Sequence, residues 1–479
     1  MSIVKKAISG ALWMSGVNYI GFIINFMIQL ILVRLLVPED FGVFALGLSI
    51  ADILFIFFGF SFSMAVIRIH EAEDLFDTAF YLSLFSGIVI IITGGIISLF
   101  VSSHYALPAI LIFLAACAIQ PLQLCSSIYS ASMEKELQFK KNAIVRGIST
   151  NFSGFMAVLL AYLGLGFWSL LGREVLSGIL MLLGMRMFSS YRFKGKFNKK
   201  TAGMLLDFGY KMLFSRGLEI IYHRVPHFLI GTFAGTRALG LFSQSYYLAN
   251  LPNTIFGAVH QNVAYAAYSK IQNDREKVNN AFHITNYFSI RLLFPVMLVM
   301  FMFPTEILKI FYGSRWLEAS PLLGYFAVYA AFLPLFSNAK TLAYSLGRLS
   351  DISKIYLISS LLLLIIIFVA LSGNNIQISA LAYSISILLA LMVSFYFLKK
   401  ENMKIYFKEL FFMPLLMSSI IIICWRLFSN SYVIRFSGDK ILGLVLLVMI
   451  FVVFVTLLFF GDYRVSFKKM KYVGKKILE

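Results

Sequence analysis

Charge is scarce in this sequence. Only 13% of its 479 residues are Asp, Glu, Lys or Arg, and 60% are hydrophobic. A soluble globular protein has about 25% charged residues, because such residues cover its water-facing surface. The mean hydropathy of +0.86 points the same way. The composition excludes an ordinary soluble domain, and we expect most of the chain to lie in a lipid bilayer.

Motifs for nucleotide and metal chemistry are also missing. The sequence has no G-x-x-x-x-G-K-[ST] loop and no H-E-x-x-H pair, which argues against ATP hydrolysis and a zinc hydrolase site. Its three cysteines, Cys117, Cys125 and Cys424, lie in apolar segments without metal or redox spacing. We therefore expect no cofactor, no metal and no enzymatic activity.

Long apolar segments follow one another along the chain. A hydrocarbon core about 30 Å thick needs about 20 helical residues at 1.5 Å per residue. Such segments cover residues 12–33, 41–64, 78–100, 106–131, 143–165, 167–187, 205–234, 239–267, 282–303, 317–346, 355–371, 376–398, 410–428 and 441–460. They predict an all-α membrane protein of about fourteen transmembrane helices.

Basic residues are distributed unevenly between the connecting segments. If the N-terminus is cytoplasmic, the inside segments hold 27 lysines and arginines and the outside segments hold 7. This positive-inside bias predicts that both termini are cytoplasmic. The net charge of +19 is then a signal of topology and of attraction to anionic lipid, and we expect no nucleic-acid partner.

Two similar hairpins indicate an internal repeat. Gly42 and Gly240 lie 198 residues apart, and each enters a helix just after a short turn. Six predicted helices separate them, so both halves have the same orientation. We expect a six-helix lobe in residues 1–200 and a second in residues 201–400. An additional helix pair and a basic tail follow in residues 401–479. Transporters are often built from such repeats.

Several motifs resemble a known family. They are Ala11-Leu-Trp, Arg34-Leu-Leu-Val-Pro-Glu-Asp-Phe-Gly42, His227-Phe-Leu-Ile-Gly231-Thr-Phe-Ala-Gly235, Leu239-Gly240-Leu-Phe and Phe311-Tyr-Gly313-Ser-Arg-Trp316. They resemble the Wzx-type polysaccharide flippases, especially their exopolysaccharide-exporter branch. That superfamily also contains the MATE drug exporters and the lipid II flippase MurJ. The resemblance covers about the first 400 residues.

The resemblance implies both a fold and a function. The fold would be two six-helix lobes around a central cavity, working by alternating access. The cargo would be an undecaprenyl-diphosphate-linked oligosaccharide, moved from the inner to the outer leaflet of a bacterial inner membrane for O-antigen or exopolysaccharide synthesis. Polysaccharide polymerase and assembly proteins are candidate partners.

Ionisable residues within the predicted helices are the candidate site. Such a residue costs about 2.5–3.5 kcal/mol at a helix centre, so it usually faces water or a partner. Arginine binds phosphate through two hydrogen bonds and stays charged. The predicted substrate-binding residues are Lys211, Arg216, Arg224, Arg291 and Lys340, and the candidate ion-coupling residues are Asp52 and Glu219.

Structural roles stay open for several of these residues. Arg216, Glu219, His223 and His227 fall within an arc of about 80° on one helix, which favours an inward-facing polar stripe. Arg216 and Glu219 are also spaced to form a structural ion pair. Lys211 can reach the interface along its aliphatic chain.

Three other functions remain as alternatives. A cation-coupled multidrug exporter of the MATE type needs an acidic cavity, whereas the intramembrane cations outnumber Asp52 and Glu219. A membrane glycan polymerase or ligase needs a large outer loop, and the outer loops here are short. A scaffold of an assembly complex would not explain the buried charges. The driving force is either an ion gradient or consumption of the product outside.

Overall fold

The structure is a computed structural model that describes residues 20–429, apart from 61, 70, 71, 73, 374, 401, 402 and 405. All regular structure in this part of the chain is helical. The helices are α1 (Ile20–Leu35), α2 (Pro38–Phe58), α3 (Phe62–Arg68), α4 (Leu75–Val101), α5 (Leu107–Lys135), α6 (Phe139–Tyr162), α7 (Phe167–Phe188), α8 (Lys199–Phe233), α9 (Gly235–Ile271), α10 (Arg275–Met302), α11 (Pro304–Phe311), α12 (Ser320–Ser345), α13 (Leu349–Ser372), α14 (Ile376–Lys400) and α15 (Phe407–Ser429). A 3₁₀ turn, Ser314–Ala319, precedes α12.

The predicted apolar segments coincide with these helices. Thirteen of the fourteen overlap a described helix, and the last, 441–460, lies outside the described residues. Nine of the described helices are long and apolar enough to cross a membrane. The 35-residue α8 and the 37-residue α9 are more polar. The chain is an all-α, multi-pass membrane protein, and the total of about fourteen spans stays a prediction.

One predicted helix, 41–64, is wrong as a continuous element. The helix breaks after Phe58, and α3 begins only at Phe62. Gly59 follows the break with φ −81° and ψ 60°, outside the helical range. Glycine is the poorest helix former after proline, by about 1 kcal/mol relative to alanine. The Phe55 ring packs so close that a Cβ at Gly59 would lie 2.2 Å from it.

Large apolar side chains point outward from the helices. Leu99 and Phe100 are each 75% exposed, and Phe368 and Val369 of α13 are exposed to a similar degree. Contiguous apolar exposure of this kind is unusual on soluble proteins. A surrounding bilayer accounts for it, since lipid tails are the solvent for these faces.

The chain divides into two compact units. Within the described part of the chain, the first comprises residues 20–244 with 311–316 and 367–376, and the second comprises residues 245–310, 317–366 and 377–429. This division follows packing, whereas the predicted lobes 1–200 and 201–400 follow the sequence repeat. The lobe boundaries therefore stay a prediction.

Small residues bring the helices of the first unit close together. In this unit α2 packs on α5 and α8, α4 packs on α5, and α6 packs on α7. A Cβ at Gly87 would lie 2.6 Å from Cα of Pro121, and one at Gly94 would lie 2.7 Å from Sγ of Cys117. Small residues are common at helix interfaces in membranes because they let backbones approach.

The two repeated glycines lie against each other's helices. A Cβ at Gly42 of α2 would lie 1.7 Å from the carbonyl oxygen of Thr236. A Cβ at Gly240 of α9 would lie 1.8 Å from the carbonyl oxygen of Pro38. Both obstacles are backbone atoms and cannot move aside as a side chain would. The α2–α9 crossing therefore needs glycine at both positions, which explains the hairpin repeat in the sequence.

Side chains on both sides support this crossing. The buried Trp316 donates its indole N–H to the carbonyl oxygen of Val33 over 3.0 Å, and its ring contacts Phe41 edge-on. At the rim, a guanidinium nitrogen of Arg237 lies 2.7 Å from a carboxylate oxygen of Glu39. The motif around Trp316 and the two glycine motifs thus belong to one packed structure.

The second unit has a polar network at its centre. Tyr268 of α9 donates its hydroxyl to Asn338 of α12 over 2.7 Å. Asn338 in turn donates to the side-chain oxygen of Asn286 on α10 over 2.8 Å. All three side chains are buried. Buried polar groups in a membrane protein need such partners, and this network joins three helices.

The crossing generates a prediction. Gly42→Ala places a methyl group into the Thr236 carbonyl, so we expect α2 and α9 to separate and the protein to lose at least about 2 kcal/mol of stability. Thermal unfolding in detergent, followed by tryptophan fluorescence, measures the loss. The control is Gly95→Ala in α4, where a Cβ meets no atom within 4 Å. Equal unfolding temperatures for the two variants would contradict the assigned role of the crossing.

Candidate functional site

The predicted site residues are distributed over both compact units. The first unit holds Asp52 on α2 and Lys211, Arg216, Glu219 and Arg224 on α8. The second unit holds Arg291 on α10 and Lys340 on α12.

Asp52 and Arg224 form an ion pair between α2 and α8. Nε of Arg224 lies 2.8 Å from Oδ2 of Asp52. The Arg224 side chain is 44% exposed and that of Asp52 28%, so the pair is neither sealed in the core nor free at the surface. Glu174 of α7 lies within electrostatic range of both groups. Arg224 therefore contacts one carboxylate and interacts electrostatically with a second, which also interacts with Arg173 on α7.

Glu219 lies one and a half turns before Arg224 and lines a cavity between α2 and α8. The cavity measures about 220 Å³, below the roughly 300–1,000 Å³ of a typical ligand pocket. Glu219 is the one ionisable group among the described lining residues, which are Phe55, Ile56, Gly59, Leu213, Gly217, Glu219 and Ile220. The cavity adjoins the break after α2, so the interrupted helix provides the space in front of this carboxyl.

The polar stripe predicted on α8 divides between two neighbours. His227 is buried, donates from Nδ1 to the carbonyl oxygen of His223 over 2.8 Å and packs edge-on against Phe242 of α9. Glu219 faces α2 instead. An arc of about 80° on a helix is wide enough to reach two adjacent helices, so a common face does not imply a common cavity.

The other α8 cations have different surroundings. Lys211 is exposed, and its Nζ lies 2.6 Å from Oδ2 of Asp207 one turn earlier. The side chain of Arg216 lies outside the described part of the structure. Lys211 therefore has a local acidic partner, and the assignment of both residues to substrate binding stays a prediction.

A second network in the first unit was not foreseen from the sequence. Arg173 of α7 donates from Nη2 to Oδ1 of Asn25 over 2.8 Å. Asn25 of α1 donates to Oδ1 of Asn151 on α6 over 2.9 Å. Single amide residues in apolar helices were the available signal, since such side chains often hydrogen-bond across helices.

In the second unit, Arg291 is completely buried. Its guanidinium carbon lies 3.4 Å from the ring centroid of Tyr287, and its two terminal nitrogens approach the Glu409 carbonyl oxygen at 3.4 Å. Nε2 of His283 lies 2.9 Å from a Glu409 carboxylate oxygen. These contacts attach α15 to α10. Arg291 thus has a structural role that the sequence did not reveal.

Lys340 of α12 contacts α13. Its Nζ donates to the Tyr356 hydroxyl over 3.2 Å, and it lines a cavity of about 20 Å³ with Arg348 and Asp351. Arg348 pairs with Asp351 at 3.2 Å. Of the predicted residues with described side chains, Asp52 and Arg224 are in direct contact with each other.

Comparison with known proteins identifies the family. The model of the polysaccharide biosynthesis protein family matches residues 31–321, which is more than half of the chain. The chain belongs to this family. The matched segment includes Asp52, Arg224 and the α2–α9 crossing, so the features assembled above lie within the family's own region.

Two relatives support the same assignment. The chain is 26% identical over 309 residues to the succinoglycan biosynthesis transport protein ExoT of Rhizobium meliloti, covering 64% of this chain and 63% of that protein. It is 23% identical over 334 residues to the lipopolysaccharide biosynthesis protein WzxC of Escherichia coli, covering 67% and 66%. Each alignment therefore spans slightly less than two thirds of the relative.

A solved structure shows the same fold. The lipid II flippase MurJ in an inward closed conformation superposes with a TM-score of 0.73, covering 95% of this chain and 99% of that one at 14% identity. The resemblance to Wzx-type and MurJ-like proteins noted from the motifs is thereby confirmed at the level of family and fold.

The ion pair generates a prediction about energetic coupling. Asp52→Ala and Arg224→Ala should each destabilise the protein, and the double variant should lose less than the sum, because the partners interact directly. We expect a coupling energy of about 1 kcal/mol from thermal unfolding in detergent. The matched control is the exposed pair Asp207 and Lys211, whose coupling should be at most about 0.5 kcal/mol. Equal couplings at the two pairs would contradict the prediction.

Arg291 generates a second prediction. Arg291→Ala leaves a void beside Tyr287 and removes the donors to Glu409, so we expect a loss of about 3 kcal/mol. Arg291→Met keeps most of the volume without burying a charge and should unfold closer to wild type. Unfolding of the two variants in detergent measures the difference. If Arg291→Ala unfolds like wild type, the structural role is wrong.

Proposed function

We propose that this protein is a flippase that carries a lipid-linked saccharide from one leaflet of the membrane to the other. Family membership, the names of two relatives and the MurJ-like fold support a transport role in polysaccharide biosynthesis. The specific cargo that we propose is an undecaprenyl-diphosphate-linked oligosaccharide.

The observation that carries the proposal is the environment of Arg224. Its guanidinium is partly exposed on a helix that crosses an apolar region and is held by Asp52 at 2.8 Å. A diphosphate is a strongly hydrated anion, and moving it through a low-dielectric region needs a cation that does not lose its proton. Arginine meets this need and can donate two parallel hydrogen bonds to phosphate oxygens.

Asp52 is the ion-pair partner of Arg224 before cargo binds. While no cargo is bound, the carboxylate neutralises Arg224 and lowers the cost of a charge inside the membrane. An arriving diphosphate competes with Asp52 for the guanidinium. Asp52 is then left without its cation and can take up a proton or a metal cation, which would couple transport to an ion gradient. Glu219, in its cavity beside α2, is the other candidate for this coupling.

In this transport cycle, the α2–α9 crossing would close the protein toward the outer face of the membrane. The distribution of basic residues supports an outer location for the turns before Gly42 and Gly240. To release cargo there, the protein would have to separate two helices in backbone contact and break the Glu39–Arg237 ion pair. The saccharide would pass between the lobes while the lipid chain stays in the bilayer.

A cation-coupled drug exporter is the competing function. Asp52 contacts Arg224, Glu174 is within electrostatic range of both Arg173 and Arg224, and Glu219 is nearby on α8. This local acidity favours a cationic ligand more than the sequence count suggested. We assign the acidity to ion coupling, because the family and its relatives are named for polysaccharide biosynthesis and transport.

The location and partners follow from this proposal. The protein would lie in the bacterial inner membrane with both termini in the cytoplasm, and it would act as a transporter without enzymatic chemistry. It would receive its cargo from the enzymes that assemble lipid-linked units and pass it to a polysaccharide polymerase outside.

A flipping assay in proteoliposomes tests the proposal. The probe is a fluorescent undecaprenyl-diphosphate oligosaccharide, quenched from outside after it reaches the outer leaflet. We expect Arg224→Ala to slow flipping roughly ten- to a hundredfold, the equivalent of losing charge-assisted hydrogen bonds of about 1.5–3 kcal/mol. Arg224→Lys should keep part of the rate because it retains the charge without the two-pronged geometry.

The controls separate cargo binding from general damage. Lys277→Ala should flip at close to the wild-type rate, since Lys277 is exposed and paired with Asp274. A monovalent cationic dye is offered in parallel. If the wild-type protein exports the dye and leaves the glycolipid in place, the exporter function replaces the flippase proposal.

A further inference from the structure

The segment between α7 and α8, residues 189–198, is held against the end of α4 by one carboxylate. We call this segment the linker strap. Asp77 of α4 is buried, and its Oδ1 accepts the Tyr191 hydroxyl over 2.6 Å. Its Oδ2 accepts the backbone N–H of Lys194 over 3.0 Å and that of Lys196 over 3.1 Å. These three hydrogen bonds from the strap to one carboxylate of α4 fix the path of the strap backbone.

Neighbouring contacts hold the rest of the strap. The backbone N–H of Asn198 donates to Oγ1 of Thr78 over 3.1 Å, and the Tyr81 hydroxyl donates to the carbonyl oxygen of Gly195 over 3.3 Å. Gly195 has φ +76°, a conformation that glycine adopts easily. The strap is therefore an ordered surface, although it contains no helix or strand.

The strap is strongly basic. Between Glu174 and Asp207 the sequence contains no acidic residue, but it contains Arg186, Arg192, Lys194, Lys196, Lys199 and Lys200. Arg192 donates to the carbonyl oxygen of Arg186 at the end of α7 and to the carbonyl oxygens of Ser189 and Tyr191 in the strap itself. Nζ of Lys196 lies 4.0 Å from Asp74.

The side chains of Lys194, Lys199 and Lys200 are exposed. No hydrogen bond or ion pair from any of these three side chains occurs within the described residues. Their positive charges are therefore available to an external anion.

Aromatic side chains alternate with these cations. Phe193 packs on Phe80 and Tyr81, with ring centroids 4.7 and 5.0 Å apart, yet it remains 39% exposed. Phe197 is 50% exposed beside Tyr81. Exposed aromatic rings next to lysines are typical of segments that lie at the boundary between lipid headgroups and acyl chains.

The position of the strap supports this interpretation. It joins the end of α7 to the beginning of α8 and lies on the first turn of α4, and both α4 and α7 can cross a membrane. The strap is therefore at the level where the hydrocarbon core ends. We propose that the linker strap, together with the first turn of α8, is a preorganised binding surface for the headgroups of anionic phospholipids in the adjacent leaflet. Lys194 of the strap and Lys199 and Lys200 of α8 would contact phosphates, and Phe193 and Phe197 would enter the acyl region.

The proposed surface does not depend on which cargo the protein transports. Its test therefore measures the binding of phospholipids to the protein. The purified full-length protein is titrated with phosphatidylglycerol or phosphatidylcholine, and bound lipid is counted by native mass spectrometry. We expect the variant with Lys194, Lys196, Lys199 and Lys200 changed to Gln to bind phosphatidylglycerol about tenfold more weakly, and phosphatidylcholine unchanged. Each basic residue near an anionic surface contributes enough for a several-fold change, reduced by salt screening.

A matched control removes the same number of charges elsewhere. The variant with Lys399, Lys400, Lys404 and Lys408 changed to Gln should keep most phosphatidylglycerol binding. Equal losses of phosphatidylglycerol binding in the two variants would mean that the net charge of the protein alone determines binding. That result overturns the proposal. Replacing Lys194, Lys196, Lys199 and Lys200 by Arg should preserve binding.

The role of Asp77 distinguishes an ordered surface from a flexible basic loop. Asp77→Asn makes the protein more positive by one charge, so simple electrostatics predicts equal or tighter phosphatidylglycerol binding. We expect weaker binding, because the strap loses its anchor; Tyr191→Phe, which removes one hydrogen bond, should act in the same direction. Unchanged or tighter binding in both variants overturns the proposal. It is also overturned if the Gln variant loses binding of undecaprenyl diphosphate but keeps phosphatidylglycerol, since the strap would then be a cargo site.

Discussion

An ionic group inside a bilayer must have a partner or water, and this requirement organises the structure around Asp52 and Arg224. The two residues are far apart in the sequence. Each charge alone would carry a high free-energy cost in an apolar helix. Their contact at 2.8 Å links α2 to α8 where α2 is about to break. Gly59, at the break, lines the cavity beside Glu219. Pairing, helix interruption and cavity thus belong to one local arrangement.

The two compact units use arginine in different ways. In the first, Arg224 is partly exposed and has carboxylates around it, which leaves its charge accessible to a competing anion. In the second, Arg291 is completely buried, stacked on Tyr287 and directed at the backbone of α15. The same side chain therefore serves as a candidate ligand-binding group in one unit and as a helix-attachment group in the other.

Close backbone contact and ordered loops complete the framework. At the α2–α9 crossing, two glycines let the helix backbones touch, and Trp316 fills the adjacent space. At the linker strap, one buried carboxylate orders a loop that would otherwise be a flexible run of lysines. Both features place polar or charged groups at fixed positions near the ends of helices, where a transporter must change conformation or meet the lipid headgroups.

Properties that depend on local composition were predictable from the sequence alone. The helical fold, the positions of thirteen apolar segments, the special role of Gly42 and Gly240 and the family were all accessible, because lipid selects hydrophobicity over each stretch of about 20 residues. The sequence also nominated Asp52 and Arg224 separately, since ionisable residues stand out in apolar helices.

Only the tertiary structure decided which of these groups meet. Asp52 and Arg224 lie on different helices, and His227 turns toward α9 while Glu219 faces α2. Arg291 is held by residues of α10 and α15, and Asp77 reaches a loop more than a hundred residues away. These contacts depend on which helix faces pack together. Helix packing is set by shape and small residues across long sequence separations, and hydropathy does not encode it.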